Sequence, residues 1–124
     1  MATVNLRGRA LESRDAIELL SSKWRIAVLH LLSLGSLRTR DLQRALNQVS
    51  PKVLIQTLRG MERDGLVERT VFSASALRVE YRLTEMGQSV LGPLRELCLW
   101  AQANRGRRDA ARRMFMRDRP EQKN

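Results

Sequence analysis

Four long polar side chains recur at intervals of three or four residues between Ser50 and Gly65. They belong to Lys52, Gln56, Arg59 and Arg63. In an α-helix this spacing places them on one face. Glutamine and arginine can each pair with a base edge through two hydrogen bonds, and lysine can bind guanine or phosphate. The pattern indicates either a helix that reads nucleic acid or an ordinary amphipathic helix with a solvated polar face.

The same segment carries residues typical of the two ends of a helix. Ser50 is an N-cap residue type, Pro51 suits the first helical position, and Asp64-Gly65 suits the last turn. The face opposite the donors is apolar and consists of Leu54, Leu58 and Met61. We therefore predict a helix over Ser50–Asp64 that packs on a small core and presents its donors outward.

Residues able to support catalysis or bind a metal are scarce. The chain has one histidine, His30, and one cysteine, Cys98. No carboxylate is spaced to act with that histidine as an acid–base pair. A single cysteine excludes an intramolecular disulfide and a cysteine-based metal cluster. We therefore expect no enzymatic activity, no metal site and no cofactor.

The charge balance favours a polyanionic partner. The 124 residues suit one domain with a modest core, and 23 Lys and Arg against 13 Asp and Glu give a net charge of +10. Such an excess is typical of proteins that bind nucleic acid or an anionic membrane surface. The first residues contain no apolar signal region, and no apolar run could span a bilayer. We expect a cytoplasmic protein that is not associated with a membrane.

Composition divides the chain into three regions. Residues 1–13 show little pattern and are predicted to form an N-terminal arm. Residues 14–104 contain the periodic segments and are predicted to form the folded domain. Residues 105–124 hold eight basic and three acidic residues, which is half of the net positive charge. We predict a basic tail there that could include a short helix before Pro120.

The segments before the donor helix are also helical in pattern, beginning with a short helical cluster of Ala16, Ile17, Leu19 and Leu20. A nearly apolar helix is predicted from about Ser22 to Leu34, and a shorter one over Arg40–Leu46 with Thr39 as its N-cap. Asn47-Gln48-Val49 forms the turn to the donor helix. A helix, a short turn and a second helix with outward donors is an arrangement typical of DNA-binding proteins.

Two alternating segments follow, over Leu66–Phe72 and Leu77–Leu83, and predict a β-hairpin with a tip of small residues. A hairpin directly after a helix-turn-helix is a wing.

The last long helix is predicted from Glu85 to Asn104, with a kink or break at Gly92-Pro93. Its apolar surface exceeds what one small core can cover, which favours a second copy as partner.

Five motifs occur here in the order found in a known family. They are Lys23-Trp24, Ser50-Pro51-Lys52-Val53-Leu54, Glu62-Arg63-Asp64-Gly65-Leu66-Val67, Arg78-Val79-Glu80-Tyr81 and Leu83-Thr84-Glu85-x-Gly87. Over about residues 14–104 the chain resembles the HxlR-type transcriptional regulators, relatives of the MarR group. The resemblance implies a mainly α fold with a small β-hairpin. It implies a winged helix-turn-helix whose terminal helices form a homodimer on a near-palindromic operator.

The chain departs from the family pattern in three places, one of which is Ser21-Ser22, where relatives often have glycines. Many relatives carry a redox-sensing cysteine just before the first core helix, whereas residues 1–22 contain none. Thiol sensing of that type is therefore not expected. Gly60 stands where a good helix former is usual.

The expected DNA contacts divide into two groups. On the recognition helix they are Ser50, Pro51, Lys52, Gln56, Thr57 and Arg59. On the DNA backbone and at the wing they are Arg38, Thr39, Arg40, Ser73, Ser75 and Arg78. Arg63 lies late in the helix and is expected to be solvated.

Four residues of the expected dimer centre could line a pocket for a small-molecule effector, with plain core packing as the alternative. They are Trp24, His30, Cys98 and Trp100. The resulting hypothesis is a homodimeric regulator, most simply a repressor, that binds a specific double-stranded operator. The alternative is a winged-helix module that binds nucleic acid non-specifically or serves as a protein-interaction factor.

Overall fold

The computed structural model describes residues 6–73 and 78–118. Seven helices lie in the described residues: α1 Leu6–Leu19, α2 Lys23–Leu32, α3 Thr39–Ala45, α4 Pro51–Arg63, α5 Glu85–Ser89, α6 Leu91–Ala103 and α7 Arg105–Asp118. Three strands accompany them: β1 Leu37–Arg38, β2 Val67–Ser73 and β3 Arg78–Leu83. The chain divides into two compact units, Met1–Leu91 and Gly92–Asn124.

The strands form one antiparallel sheet in the order β1-β3-β2. β2 and β3 are the predicted hairpin, with Val67 opposite Leu83. β1 pairs with the other edge of β3, placing Leu37 opposite Tyr81. The sequence predicted β1 only as an extended link, because two residues are too few to show an alternating pattern.

The core of the first unit lies between α2, α3, α4 and the sheet. Its fully buried side chains are Val28, Leu29, Leu32, Leu42, Leu54, Leu58 and Met61. The predicted apolar stripe of α4 is therefore confirmed as its buried face. α2 buries one side only, since His30 on the same helix is exposed.

Several predicted boundaries shift. Residues 6–13, predicted as part of an arm, belong to α1. This helix buries little, with Leu11 60% and Ile17 66% exposed. Only its second half was predicted, from the short helical cluster that begins at Ala16. The prediction of Thr39 as an N-cap was wrong by one residue. Arg38 is the N-cap, and its backbone N–H donates to Asp41 Oδ2 at 3.3 Å.

The predicted long helix over Glu85–Asn104 is interrupted, as expected near Gly92-Pro93. α5 ends at Ser89 and α6 begins at Leu91. Proline lacks a backbone N–H and is tolerated in the first turn of a helix, which is where Pro93 lies in α6. The basic tail is helical from Arg105, and α7 is longer than the short helix predicted there.

Thr84 and Gly87 hold α5 against the residues that follow α4. The Thr84 hydroxyl donates to the Gly65 carbonyl at 2.5 Å and accepts from the Gly87 backbone N–H at 3.0 Å. A Cβ at position 87 would lie 2.1 Å from the Leu66 carbonyl oxygen. The Leu83-Thr84-Glu85-x-Gly87 motif therefore serves the fold, because only glycine permits this approach.

Candidate nucleic-acid interface

The helix that carries the donors begins and ends as predicted. The Ser50 hydroxyl accepts from the Val53 backbone N–H at 3.2 Å, and Pro51 takes the first turn. At the other end Asp64 is the C-cap, and Gly65 adopts φ +77°, a conformation that favours glycine. The bounds of α4, Pro51–Arg63, match the helix predicted over Ser50–Asp64 closely.

The turn between α3 and α4 is held by a side chain. Gln43 Nε2 donates to the Val49 carbonyl at 2.7 Å, and Val49 is buried. The turn backbone is closed by the Val49 N–H, which donates to the Leu46 carbonyl at 3.1 Å. These contacts fix how α4 projects from α3, which is the geometry that a helix-turn-helix requires.

The outward face of α4 presents three unengaged donors. Lys52, Gln56 and Arg59 are exposed, and none forms a hydrogen bond or ion pair with the described residues. Thr57 differs, because it is half-buried and its hydroxyl donates to the Val53 carbonyl at 2.8 Å. Its hydroxyl proton is therefore used within the helix.

Two further residues of α4 complete the description of this face. Arg63 is exposed and forms an ion pair with Asp64, with Nε–Oδ1 3.4 Å. Val53 is 37% exposed although apolar, and sequence analysis did not single it out. The helical spacing did place Val53 off the buried stripe of α4, which indicates an exposed side chain. An apolar side chain at such a position can contact a thymine methyl group.

An open cleft of about 630 Å³ lies beside the start of α4. It brings together five of the predicted contact residues and two that were not predicted. The lining consists of Arg38, Thr39, Arg40, Pro51 and Arg78, together with Gln43 and Val79. Arg38 and Arg40 form no ion pair with the described residues, whereas Arg78 is paired with Glu80. The two unpaired guanidinium groups create a positive potential next to the recognition helix, which suits a phosphate backbone.

The wing arginine is held by two neighbours. Arg78 Nη2 donates to Glu80 Oε1 at 2.9 Å, and its guanidinium lies 5.5 Å from the centroid of the Phe72 ring. The register shifts between Val71 and Ser73, where Ser73 pairs with Arg78. This irregularity leaves Phe72 as the extra residue on β2. Ser75, predicted as a wing contact, lies outside the described residues.

A second ion pair joins α2 to the end of the recognition helix. Arg25 Nη1 lies 2.8 Å from Asp64 Oδ2 and also donates to the Leu19 carbonyl at 3.1 Å. The hydrogen bond from Arg25 lowers the pKa of Asp64 and outweighs the opposing effect of burial. Gly60 accommodates this pair, since a Cβ there would lie 2.7 Å from Arg25 Nη2. The unusual glycine thus has a packing reason.

The four residues predicted for an effector pocket belong to different units. Trp24 is half-buried with Lys23 Nζ 4.7 Å from its ring centroid, and His30 is exposed; both lie in the first unit. Cys98 is half-buried with a free thiol, and Trp100 is 60% exposed; both lie in the second. The pocket stays a prediction.

Two kinds of feature are absent from residues 6–73 and 78–118. That part of the chain holds no group of three or more His, Cys, Asp and Glu side chains that could bind a metal ion. No helix found there is both long and apolar enough to cross a membrane.

A helix-turn-helix followed by a β-hairpin, with a short strand before the two helices that completes the sheet, defines the winged helix-turn-helix class of DNA-binding proteins. Comparison with known proteins assigns the chain to one family within this class. Residues 19–109 match the HxlR-like helix-turn-helix family. The chain belongs to this family and is a transcriptional regulator of the helix-turn-helix type.

Relatives support the assignment in sequence and in structure. The HTH-type transcriptional regulator YkvN of Bacillus subtilis is 42% identical over 83 residues, which cover 67% of this chain and 70% of YkvN. A MarR-family regulator from Enterococcus faecalis V583 is similar in structure, with TM-score 0.71, 33% identity and coverage of 89% and 96%. The quinone-bound form of YodB from B. subtilis has TM-score 0.65, 28% identity and coverage of 74% and 97%.

Proposed function

We propose that this regulator binds a specific double-stranded operator as a homodimer and represses transcription from it. The observation that carries the proposal is the exposed donor set Lys52, Gln56 and Arg59, which lies beside the arginine-lined cleft. Long side chains with free donors on the outer face of a recognition helix are the groups that pair with base edges.

The two parts of the surface have different roles. Gln56 suits adenine and Arg59 suits guanine, because each can form two hydrogen bonds with the major-groove edge of its base. Arg38, Arg40 and Arg78 bind phosphate oxygens and set the register of the protein on the duplex. Since Glu80 and Phe72 hold Arg78, the wing contact is pre-arranged and loses little side-chain entropy on binding.

Dimerisation is supported by the apolar surface of the second unit. Leu97 is 61%, Leu99 47% and Trp100 60% exposed on α6. A second copy related by a two-fold axis can cover such a surface. Two recognition helices would then meet half-sites about 34 Å apart, which is one turn of DNA. A dimer bound across a promoter excludes polymerase, and this favours repression.

An effector is also part of the proposal. The structurally similar YodB has been crystallised with a quinone. In this chain the aromatic residues Trp24 and Trp100 are the candidates to contact a flat small molecule. Binding would regulate the operator affinity only if it favours one of two dimer arrangements over the other.

The experiment begins with selection of genomic fragments by the purified protein, followed by competition gel shifts on the selected site. Gln56→Ala is expected to weaken operator binding by roughly 5- to 150-fold, because a bidentate base pair is worth about 1–3 kcal/mol of discrimination. Binding to an unrelated duplex should change little. Gln88→Ala is the matched control, since Gln88 is an exposed glutamine on α5.

The competition also tests the alternative. If unrelated duplexes displace the selected fragment as well as it displaces itself, the protein is a non-specific nucleic-acid binder and the proposal fails. If Gln88→Ala weakens binding as much as Gln56→Ala does, the assignment of the α4 face is wrong.

A further inference from the structure

Helix α7 carries a dense array of arginines that the recognition helix and wing do not use. Over Arg105–Asp118 there are six arginines and two aspartates. The arginines are Arg105, Arg107, Arg108, Arg112, Arg113 and Arg117. Residues 105–118 therefore hold a net charge of +4.

Most of these arginines lack an acidic partner within residues 6–73 and 78–118. Among the described residues, Arg105, Arg107, Arg112, Arg113 and Arg117 form no ion pair, and all of them are exposed. Arg113 and Arg117 stand four residues apart, as do Arg108 and Arg112, and like charges at this spacing repel. An anionic partner would relieve that repulsion, so the array is complementary to a polyanion.

The array is held at a fixed spacing by the second unit itself. The Arg108 backbone N–H donates to the Asn104 carbonyl at 2.9 Å, and the Asn104 backbone N–H donates to the Trp100 carbonyl at 3.1 Å. Both bonds join residues four positions apart, as in an α-helix, and they link α6 to α7. Arg108 Nη2 also donates to the Ala101 carbonyl at 2.7 Å. The arginines are therefore presented from an ordered helix.

We propose that α7 is a second DNA-binding element, one that holds the phosphate backbone of a duplex without regard to sequence. This inference rests on the proposed function, since it assigns α7 to the same partner as α4. Guanidinium groups present paired donors that match phosphate oxygens. At about 100° per residue, the arginines of α7 point in all directions around its axis, so several face a duplex on any side.

The same geometry disfavours an anionic membrane as the partner. A helix that lies in a membrane interface segregates its apolar residues on one face. In α7 the large apolar residues Met114, Phe115 and Met116 are consecutive, so successive turns of about 100° spread them over more than half of the helix circumference. One side of α7 does group Ala110, Ala111, Met114 and Phe115, but this apolar strip spans less than two turns and contains only two large side chains, and Met116 lies between Arg112 and Arg113 on the other side.

The test replaces Arg112, Arg113 and Arg117 by glutamine, which removes three charges and keeps good helix formers. Binding to a duplex of random sequence, about 40 base pairs long, is measured by fluorescence anisotropy at KCl concentrations between about 50 and 200 mM. The slope of log affinity against log salt should become less steep by about 0.9 for each phosphate that the variant no longer neutralises, up to about 2.7.

The matched control removes three charges elsewhere. Arg7, Arg9 and Arg14 are exposed on α1, and their replacement by glutamine gives the same net charge. If the α1 and α7 variants change the slope equally, net charge alone accounts for the effect and the inference is overturned. Replacement of the three α7 arginines by lysine should keep the wild-type slope, which separates loss of charge from loss of folding.

Three further outcomes are informative. An unchanged DNA slope, together with abolished binding to vesicles containing phosphatidylserine, would assign α7 to membranes and overturn the inference. The ratio of operator affinity to random-duplex affinity should be the same for the wild type and the α7 variant. A wild-type protein without any operator preference would instead refute the proposed function while leaving the role of α7 standing.

Discussion

Gly87→Ala should destabilise the first unit markedly, although alanine is a better helix former than glycine. The added Cβ would lie 2.1 Å from the Leu66 carbonyl oxygen, whereas carbon and oxygen normally approach to about 3.3 Å. α5 must therefore move by roughly 1 Å relative to Leu66. The obstacle is backbone, so no side-chain rotation can relieve the clash.

The size of the effect follows from the hydrogen bonds that this movement disturbs. Thr84 donates through its hydroxyl to Gly65, accepts from Gly87 and donates through its backbone N–H to Leu66 at 3.1 Å. Each of three hydrogen bonds contributes about 1 kcal/mol, and the helix propensity of alanine returns about 1 kcal/mol. The expected loss is about 2 kcal/mol, within the range for an overpacked site.

Thermal unfolding followed by circular dichroism measures this loss. About 2 kcal/mol corresponds to a fall in Tm of roughly 8–16 °C for a domain of this size. Gly106→Ala is the matched control, because a Cβ at that helical glycine would meet nothing within 4 Å. Its Tm should be unchanged or slightly higher. If Gly87→Ala unfolds at the wild-type temperature, the assignment of the Leu83-Thr84-Glu85-x-Gly87 motif to the fold is incorrect.

Two other variants test the ion pair and the dimer. Asp64→Asn should lower the unfolding free energy by about 1 kcal/mol near neutral pH. The folded-state pKa of Asp64 lies below its ordinary value of 3.8, so its stabilisation is present above that pH and is lost as the pH falls through the lowered pKa. Urea unfolding at pH 7 and near pH 3 should show the difference shrinking in acid; a constant difference would contradict the role of Arg25. Trp100→Glu should shift the mass measured by sedimentation equilibrium from two chains towards one, because a carboxylate in an apolar interface is costly to bury. Gln102→Glu, on an exposed polar position of the same helix, should remain a dimer.

The local features of the recognition helix were predictable because neighbours in the chain determine them. Ser50 and Pro51 specify its start, Gly65 its end, and the spacing of Leu54, Leu58 and Met61 its buried face. The alternation on either side of the hairpin tip predicted β2 and β3 for the same reason. The outward donors followed from the same helical period.

Other features depend on residues distant in the chain and were not predictable. β1 becomes a strand only because Leu37 meets Tyr81, and the first half of α1 shows too little apolar periodicity to be recognised. Gly60 is an unfavourable helix residue by its type alone, and its reason is Arg25, 35 positions earlier, which lies beside it. The conformation of Leu37 and the presence of Gly60 are each explained by a contact with a residue that is distant in the chain.

The sequence by itself determined that this protein has a donor-bearing helix after a short turn and a hairpin beyond it. Helical period, capping chemistry and strand alternation are local, so one stretch of residues is enough to establish each. Only the tertiary structure decided that Arg38, Arg40 and Arg78 surround a single cleft beside Pro51. Arg38 and Arg40 are near neighbours in the chain, whereas Arg78 comes from β3, and the pairing of β1 with β3 brings it to the same surface.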